Sequence, residues 1–420
     1  MAVAGGFGPA ECVFMVSRPF CGGLVSRGAS VTAGDPTRFD GGISNCRRRG
    51  AARTLGASVR CWRTKASSST RKVGWQAVHR MSLEDLALAS PILGSCGFFA
   101  EDVRAGWSFW IDVAGKIMAH LKFNPGDLDT DKSQRTRVYQ YYLPVFMWCH
   151  KQLIAHKIAS GSSTPAPLVI GISAPQGCGK STIVACLQDV FNSLGMAAAS
   201  ISIDDFYLTC ADQTALAKAN PDNPLVQLRG NACTHDVPLG TTTLTSLRSL
   251  TDTGRKVQVP RYDKSKNQGR GDRADQACWP VVEGPLSVVL FEGWMLGFRP
   301  VEAAEAAAVD TNLGIVNETL KGYEAAWDSF VDCWLVVKVQ DPEYVFKWRL
   351  EAEQAMRASG QPGMTDEQVK DFVTSYMPAY RAYLPGLYSK GPTTAMEGKV
   401  LMIEVDKNRA LADSQAHAPV

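Results

Sequence analysis

The sequence predicts an α/β fold with a doubly wound, mostly parallel sheet, preceded by a helical N-terminal extension. After Pro167, short and nearly continuous apolar runs alternate with helical patterns. Such runs are typical of parallel strands that are covered on both faces. A glycine-rich loop joins the first run to a helical pattern. Before Pro167 the apolar residues recur at helical spacing, which predicts a separate helical segment.

The helical extension is predicted to cover residues 81–160. Ser82 precedes Asp85 at N-cap spacing and starts the first helix. Further helices are expected at about 101–123 and 133–158, the latter with one apolar face. The sequence Gly-Ser-Ser-Thr-Pro at 161–165 then reads as a linker.

The α/β domain is predicted to cover residues 165–410. Its expected strands are Leu168–Ile172, Ala198–Ile203, Ser287–Phe291, Cys333–Val339 and Val400–Val405. Its expected helices are 180–194, 243–253, 342–359 and 365–384, and those near 342–385 are expected to form a lid. Strands that alternate with helices in this way indicate one doubly wound domain.

Residues 1–80 form a basic arm on an acidic body. The whole chain of 420 residues has a formal net charge of +3. The arm holds 13 Lys and Arg against three acids, whereas the rest holds 31 basic and 38 acidic residues. An N-terminus rich in Arg and Ser and poor in acids is typical of an organelle transit peptide. A solvated basic tail or a nuclear-targeting patch is the alternative.

Several classes of protein are disfavoured by composition. The acidic body lacks the basic excess that nucleic-acid binding needs. The longest apolar stretch, 86–100, is interrupted by Pro91 and two glycines and is too short to span a membrane. The 12 cysteines show no C-x-x-C pair and no zinc-site spacing.

The loop after the first strand predicts a phosphate-binding site. Strand, loop, Gly-Lys-Ser and helix follow one another from 168 to 182, and backbone N–H groups at such a helix start bind phosphate oxygens. Lys180 is expected to reach the terminal phosphates and Ser181 to bind Mg²⁺. The cofactor-binding residues are expected to be Ala174, Pro175, Gln176, Gly177, Cys178, Gly179, Lys180, Ser181 and Thr182. The general pattern has glycine where Ala174 stands.

Carboxylates follow two of the predicted strands. Asp204 and Asp205 end the second strand, and Glu292 ends the third. One aspartate could accept a substrate hydroxyl proton or hold Mg²⁺ through water, and Asp205 could instead be a helix N-cap. Glu292 stands where the metal-side acid of a nucleotide enzyme is expected.

Basic groups elsewhere in the acidic body indicate a small anionic substrate. They occur around Arg229, His235 and Arg261, in segments that could also be ordinary solvated loops. Arg349 and Arg357 lie eight residues apart on one predicted helix, so they face roughly the same side. A lid with such arginines would stabilise charge on a transferred phosphoryl group; two plain surface arginines are the alternative.

With these residues in place, the chain resembles the plant- and fungal-type D-glycerate 3-kinases. The resemblance covers roughly residues 133–406. It rests on the motifs Gly171–Thr182, Ser202–Thr209, Leu228–Asp236, Pro260–Ser265, Gly269–Asp275, Phe291–Phe298 and Trp348–Tyr388. More distantly, the chain is similar to phosphoribulokinase, uridine kinase and pantothenate kinase. Ala174 belongs to the family's own pattern, and the resemblance implies a P-loop NTPase/kinase fold.

The resemblance implies phosphorylation of D-glycerate by ATP and Mg²⁺, as the closing step of photorespiration in the chloroplast stroma. It implies that Asp204 is the base, with Lys180 and Arg349 as catalytic partners and Ser181 and Glu292 at the metal. Which of Arg229, His235 and Arg261 holds the substrate carboxylate is left open. The expected substrate-binding residues are Asp205, Tyr207, Arg229, His235, Arg261, Tyr262 and Arg357.

We also expect an arm read by the chloroplast import machinery, a monomer, and no nucleic-acid or membrane partner. Two alternatives remain: a related kinase for another small hydroxyl substrate, and a regulatory module that uses the loop as a nucleotide switch. Cys178, near a helix N-terminus, is either a redox-sensitive thiol of lowered pKa or a small residue that fills space.

Overall fold

The centre of the fold is a sheet of parallel strands. The computed structural model describes residues 81–126, 131–360 and 363–412. The strands in these ranges are β1 Leu168–Ser173, β2 Ala198–Ser202, β3 Lys256–Gln258, β4 Tyr262–Asp263, β5 Asp272–Arg273, β6 Val281–Glu283, β7 Val288–Gly293, β8 Cys333–Val339 and β9 Val400–Val405. The central sheet has the order β2-β7-β1-β8-β9, with every pairing parallel. The predicted α/β fold class is therefore confirmed.

Helices cover the sheet and form the N-terminal extension. In the described ranges they are α1 Leu83–Leu88, α2 Ala100–Ala105, α3 Trp107–Leu121, α4 Lys132–Thr136, α5 Leu143–Ser160, α6 Lys180–Ser193, α7 Cys210–Ala219, α8 Val237–Arg248, α9 Ala303–Val309, α10 Gly314–Ala326, α11 Tyr344–Ala358, α12 Asp366–Thr374 and α13 Met377–Lys390. A π-helical turn, Arg137–Tyr142, joins α4 to α5. A 3₁₀ turn, Ile203–Phe206, follows β2.

The sheet is buried because its strands present apolar side chains on both faces. All six residues of β1 are buried, and in β7 every residue but Glu292 is buried. Gly171 in β1 lies against the ring of Trp334, so that a Cβ on this glycine would come within 2.5 Å of it. This close packing explains why a strand interior carries a glycine.

The N-terminal extension contacts the helix that follows the phosphate-binding loop. The Nδ1 atom of His120 in α3 lies 2.6 Å from Oδ2 of Asp189 in α6. Tyr141 and Tyr142 in the π-helical turn are buried. The predicted helical character of this segment is confirmed, although the helix expected at 101–123 is divided at Gly106 into α2 and α3.

Some element boundaries differ from the prediction. The helix expected at 243–253 begins at Val237 and ends at Arg248, and that expected at 365–384 is two helices, α12 and α13. Helices α7, α9 and α10 were not predicted. Among the described residues, no helix has both the length and the apolar character to cross a membrane. The predicted transit peptide, 1–80, lies outside the described residues.

Candidate active site

The predicted phosphate loop and strand-end carboxylates meet at one edge of the sheet. Ile172 of β1 is in register with Glu292 of β7, and Glu292 is in register with Ser202 of β2. Because parallel strands place their carboxyl ends at the same edge, the segments after these residues are neighbours. The sequence cannot show that β7 lies between β1 and β2, which is what brings the three together.

The phosphate loop connects β1 to α6. Gly177 and Gly179 have φ angles of 78° and 100°, which are left-handed values that favour glycine. The Gln176 N–H donates to the Tyr380 hydroxyl over 3.1 Å. Ser181 and Thr182 lie exposed in the first turn of α6, whereas Ala174 and Pro175 are buried. The loop thus has a fixed backbone, with exposed hydroxyls at the helix start.

Lys180 and Glu292 form an ion pair at the centre of this edge. The Lys180 ammonium contacts Oε2 of Glu292. The side chains are 14% and 12% exposed. Water therefore screens the pair only weakly, so each charge depends on its partner.

Asp204 lies in the 3₁₀ turn and faces two lysines. Its Oδ1 accepts a hydrogen bond from the Tyr207 hydroxyl at 2.9 Å, and its Oδ2 accepts one from the Lys264 ammonium at 2.6 Å. Burial alone would raise the pKa of Asp204, but Lys264 and Lys180 together hold it well below its usual range. Asp204 is therefore a carboxylate near neutral pH.

Asp205 has a different environment from its neighbour. Its side chain accepts from the Ser202 N–H at 3.3 Å, the Tyr262 N–H at 3.3 Å and the Arg261 guanidinium at 3.2 Å. Burial raises the pKa of Asp205, and Arg261 opposes that rise. The N-cap of the turn is Ser202, and Asp205 is the third residue of its capping box, so Asp205 takes part in capping without being the N-cap itself. It also connects the turn to the strand β4.

His235 and Tyr207 pack together beside Asp204. Their rings stack with centroids 4.6 Å apart. Nδ1 of His235 lies 2.8 Å from the Tyr323 hydroxyl. Burial lowers the pKa of His235 to about 4, although Asp204 opposes this shift. His235 is therefore neutral near pH 7 and offers no charge to a substrate carboxylate.

Arg229 lies beneath the loop that follows β4. Its NH1 donates to the carbonyl oxygens of Gly269, at 3.0 Å, and Arg270. Its guanidinium carbon is 5.3 Å from the centroid of the Tyr262 ring. The side chain is buried. These contacts hold the loop against β4.

The two arginines of α11 have different surroundings. NH2 of Arg349 lies 2.5 Å from Oε1 of the fully buried Glu353, and the Arg349 charge interacts with Asp204. Arg357 instead contacts the Met364 carbonyl oxygen and, at 2.6 Å, Asp366 at the start of α12. Arg349 therefore lies near the candidate base, and Arg357 connects α11 to α12.

Three further residues at the site were not selected from the sequence. Lys264 is paired with Asp204, and Tyr376 donates to the Arg229 carbonyl oxygen at 3.2 Å. Arg409 donates to the carbonyl oxygen of Gly177 at 2.7 Å. Lys264 stands in the motif Pro260–Ser265, which already indicated an anion site, and Tyr376 lies within the motif Trp348–Tyr388, whereas no sequence signal indicated Arg409.

The loop residues fit a bound phosphate. A Cβ on Gly177 would lie 2.7 Å from the Cβ of Trp348 in α11, so the close approach of the loop to this helix requires glycine. The loop ends at the N-terminus of the 14-residue helix α6, where backbone N–H groups and the helix dipole favour anions.

The donor set also fits Mg²⁺. Ser181 and Glu292 supply hard oxygen atoms, which this ion prefers. In the part of the chain that the structure describes, no three His, Cys, Asp or Glu side chains are grouped to hold a metal. A metal here would therefore take its remaining ligands from phosphate and water, as is usual for Mg²⁺ in kinases.

The surroundings of the Cys178 thiol do not fit the redox hypothesis. The thiol is buried, and burial raises its pKa to about 11 in spite of the nearby Lys180. The raised pKa argues against the redox alternative and favours the space-filling one. The side chain fills space inside the loop.

Comparison with known proteins shows that this chain is similar to kinases. Residues 169–318 match the model of the phosphoribulokinase/uridine kinase family. A chloroplastic D-glycerate 3-kinase of Arabidopsis thaliana is 46% identical over 361 residues, which cover 86% of this chain and 77% of that protein. An uncharacterized kinase of Schizosaccharomyces pombe is 38% identical over 58% of this chain and 89% of its own length.

A solved structure supports the same relationship. A D-glycerate 3-kinase from Cryptococcus neoformans is similar with a TM-score of 0.59 and 36% identity. The similarity covers 64% of this chain and 97% of that one. Both sequence and structure are thus shared over nearly the whole length of the fungal protein.

Proposed function

This chain belongs to the D-glycerate 3-kinase family, and from that membership we propose that it transfers the γ-phosphoryl group of ATP to the 3-hydroxyl of D-glycerate. The products are 3-phospho-D-glycerate and ADP, so the enzyme is a phosphotransferase with an alcohol as acceptor. The observation that carries the proposal is the position of Asp204, a carboxylate beside the lysine of a phosphate loop, in a chain with these relatives.

Asp204 accepts the proton of the 3-hydroxyl as the oxygen attacks the γ-phosphorus. Its low pKa keeps it unprotonated and therefore able to accept a hydrogen bond from the substrate. The Tyr207 hydroxyl donates to the other carboxylate oxygen and fixes its orientation. General base assistance of this kind contributes about 10²–10⁴ to the rate.

The phosphate groups are held by the loop 174–182 and by Lys180. The loop's backbone N–H groups would hold the phosphates, and Lys180 and Arg349 would offset the charge that develops on the transferred group. Mg²⁺, when bound, would neutralise charge on the phosphate groups. Ser181 and Glu292 are the residues that would hold it.

We also propose that the protein works in the chloroplast stroma, as a monomer, at the closing step of photorespiration. Residues 1–80 would then be a transit peptide that the import machinery reads. The charge of the arm and the chloroplastic location in the name of the plant relative support the location. Import of the full chain into isolated chloroplasts, compared with a chain lacking residues 1–80, tests it: uptake of both chains alike would contradict it.

Product identification tests the reaction. The purified full chain is incubated with ATP, Mg²⁺ and D-glycerate, and the product is examined by phosphorus NMR, which separates the 3-phosphate from the 2-phosphate. A panel of sugar phosphates and nucleosides serves as the control. Faster transfer to one of these acceptors would identify another kinase, and ADP release that no acceptor stimulates would favour a nucleotide switch.

A further inference from the structure

Lys264 places a cation directly on the candidate base. It follows β4 in the chain, and its ammonium lies 2.6 Å from Oδ2 of Asp204. The side chains of Lys264 and Asp204 remain 32% and 26% exposed. A small solute can therefore reach both partners without any change in the fold.

The size of the substrate restricts where its carboxylate can bind. In a three-carbon hydroxy acid, the terminal hydroxyl and the carboxylate are only about 3–5 Å apart, given ordinary bond lengths. If the hydroxyl contacts Asp204, the cation that receives the carboxylate must lie close to Asp204 as well. The ammonium of Lys264 meets this condition.

The other basic groups of the site have different contacts. Lys180 is paired with Glu292, and Arg349 with the buried Glu353. Arg261 is paired with Asp205, the residue next to the base. In the described part of the chain, Asp204 forms its ion pair with Lys264.

Resting on the function proposed above, we propose that Lys264 binds the substrate carboxylate and thereby selects a hydroxy acid over a neutral polyol. The substrate carboxylate takes over the ammonium that Asp204 holds in the free protein. Oδ2 of Asp204 then accepts the hydrogen bond of the 3-hydroxyl, so that recognition of the acid group and positioning of the reacting group occur together. A hydrogen bond between two charged groups is stronger than a neutral one, which gives the discrimination.

The test compares the full-length wild type with Lys264→Met, Lys264→Arg and Lys266→Met. Lys266 is the matched control because it lies exposed in the same loop, where it donates to the Arg273 carbonyl oxygen at 3.3 Å. Binding of D-lactate, which has the carboxylate and lacks the 3-hydroxyl, is measured by ligand-observed NMR. Turnover is measured with D-glycerate and with glycerol, which has the hydroxyl and lacks the carboxylate.

We expect Lys264→Met to weaken D-lactate binding and to lower the preference for D-glycerate over glycerol by about 10- to 100-fold. Lys264→Arg should keep most of the D-lactate affinity and most of the preference for D-glycerate over glycerol. Lys266→Met should leave the affinity and the preference unchanged. Unchanged D-lactate binding in Lys264→Met, or an equal loss with both acceptors, would overturn the inference. A wild type that does not phosphorylate D-glycerate would instead overturn the proposed function, so the two failures are distinguishable.

Discussion

At the scale of single residues, the two adjacent aspartates show how environment assigns chemistry. Asp204 faces Lys264 and Lys180, whereas the side chain of Asp205 accepts from backbone N–H groups and Arg261. The sequence identified both as candidates, and only the motif resemblance favoured Asp204. Side-chain direction within a 3₁₀ turn depends on what packs around it, which residue order alone does not specify.

Asp204→Asn should lower kcat with D-glycerate by about 10²–10⁴-fold, because the amide cannot accept the proton. KM for ATP should change less than kcat, since the loop backbone and Lys180 hold the phosphates and Asp204 interacts with that loop only through the Lys180 charge. Asp263→Asn is the control: that carboxylate contacts Ser265 and belongs to no part of the proposed site. Steady-state kinetics measures both, and near-normal turnover by Asp204→Asn would remove Asp204 from the role of base.

Cys178 should react slowly with alkylating reagents. With a pKa of about 11, only about one thiol in a thousand is a thiolate at pH 8, and the thiolate is the reactive form. The exposed Cys278 provides an internal reference. Mass spectrometry of N-ethylmaleimide adducts over time should show Cys278 modified first; modification of Cys178 at an equal rate would revive the redox hypothesis.

At the scale of elements, strands were easier to predict than helices. Strands β1, β7 and β8 are nearly continuous buried apolar runs, which the sequence displays directly. Helix α8 starts with Val237-Pro238 and contains Gly240, residues of low helix propensity in a helix interior. Two facts outweigh that signal: locally, the Asp236 side chain caps the helix, and in the tertiary structure Gly240 leaves room for the Trp327 ring, which a Cβ would approach to 2.4 Å.

Gly177→Ala should damage the phosphate loop more than Gly179→Ala. Both positions have positive φ, so each alanine costs about 1–2 kcal/mol of backbone strain. Only at Gly177 does the new Cβ also meet Trp348 of α11, which carries Arg349 one position further on, whereas the space at Gly179 is open.

The comparison of the two alanine variants separates the effect of backbone strain in the loop from the effect of displacing α11. We expect KM for ATP to rise in both and kcat to fall further in Gly177→Ala, because Arg349 moves with Trp348. Kinetics and thermal unfolding midpoints measure the two effects. Equal kcat in the two variants would mean that the contact with Trp348 does not transmit to the site.

At the scale of the whole molecule, sheet order is the property that residue patterns predict least. Strands β1 and β2 come early in the chain. Strand β7, which lies between them in the sheet, comes after α7, α8 and two small two-stranded sheets. Glu292 lies next to Lys180 because of that insertion. Pairing across such a sequence distance depends on packing of the complete domain, so sequence could identify Glu292 as a candidate without showing its partner.

Asp328, which precedes β8, is a buried acid outside the candidate site. Its Oδ2 accepts a hydrogen bond from the Thr393 hydroxyl at 2.6 Å, and burial raises its pKa to about 7. The nearby Glu324 raises it further, whereas Arg299 opposes the rise. The folded protein thus holds a proton on Asp328 that the unfolded chain, with an ordinary pKa near 4, has already released.

Stability should therefore fall as pH rises from about 4 to about 7, at up to about 1.4 kcal/mol per pH unit from this group, and the contribution should be constant above pH 7. Asp328→Asn keeps an acceptor for the Thr393 hydroxyl and has no charge to bury, so it should lose this slope. Unfolding midpoints of wild type and variant across pH 5–9 measure it, and their difference should grow in favour of the variant up to about pH 7. Thr393→Val is the control: it removes the hydrogen bond and leaves the acid, so it should lower stability while the slope remains. Parallel pH curves for wild type and Asp328→Asn would show that Asp328 is ionised in the folded protein across this range.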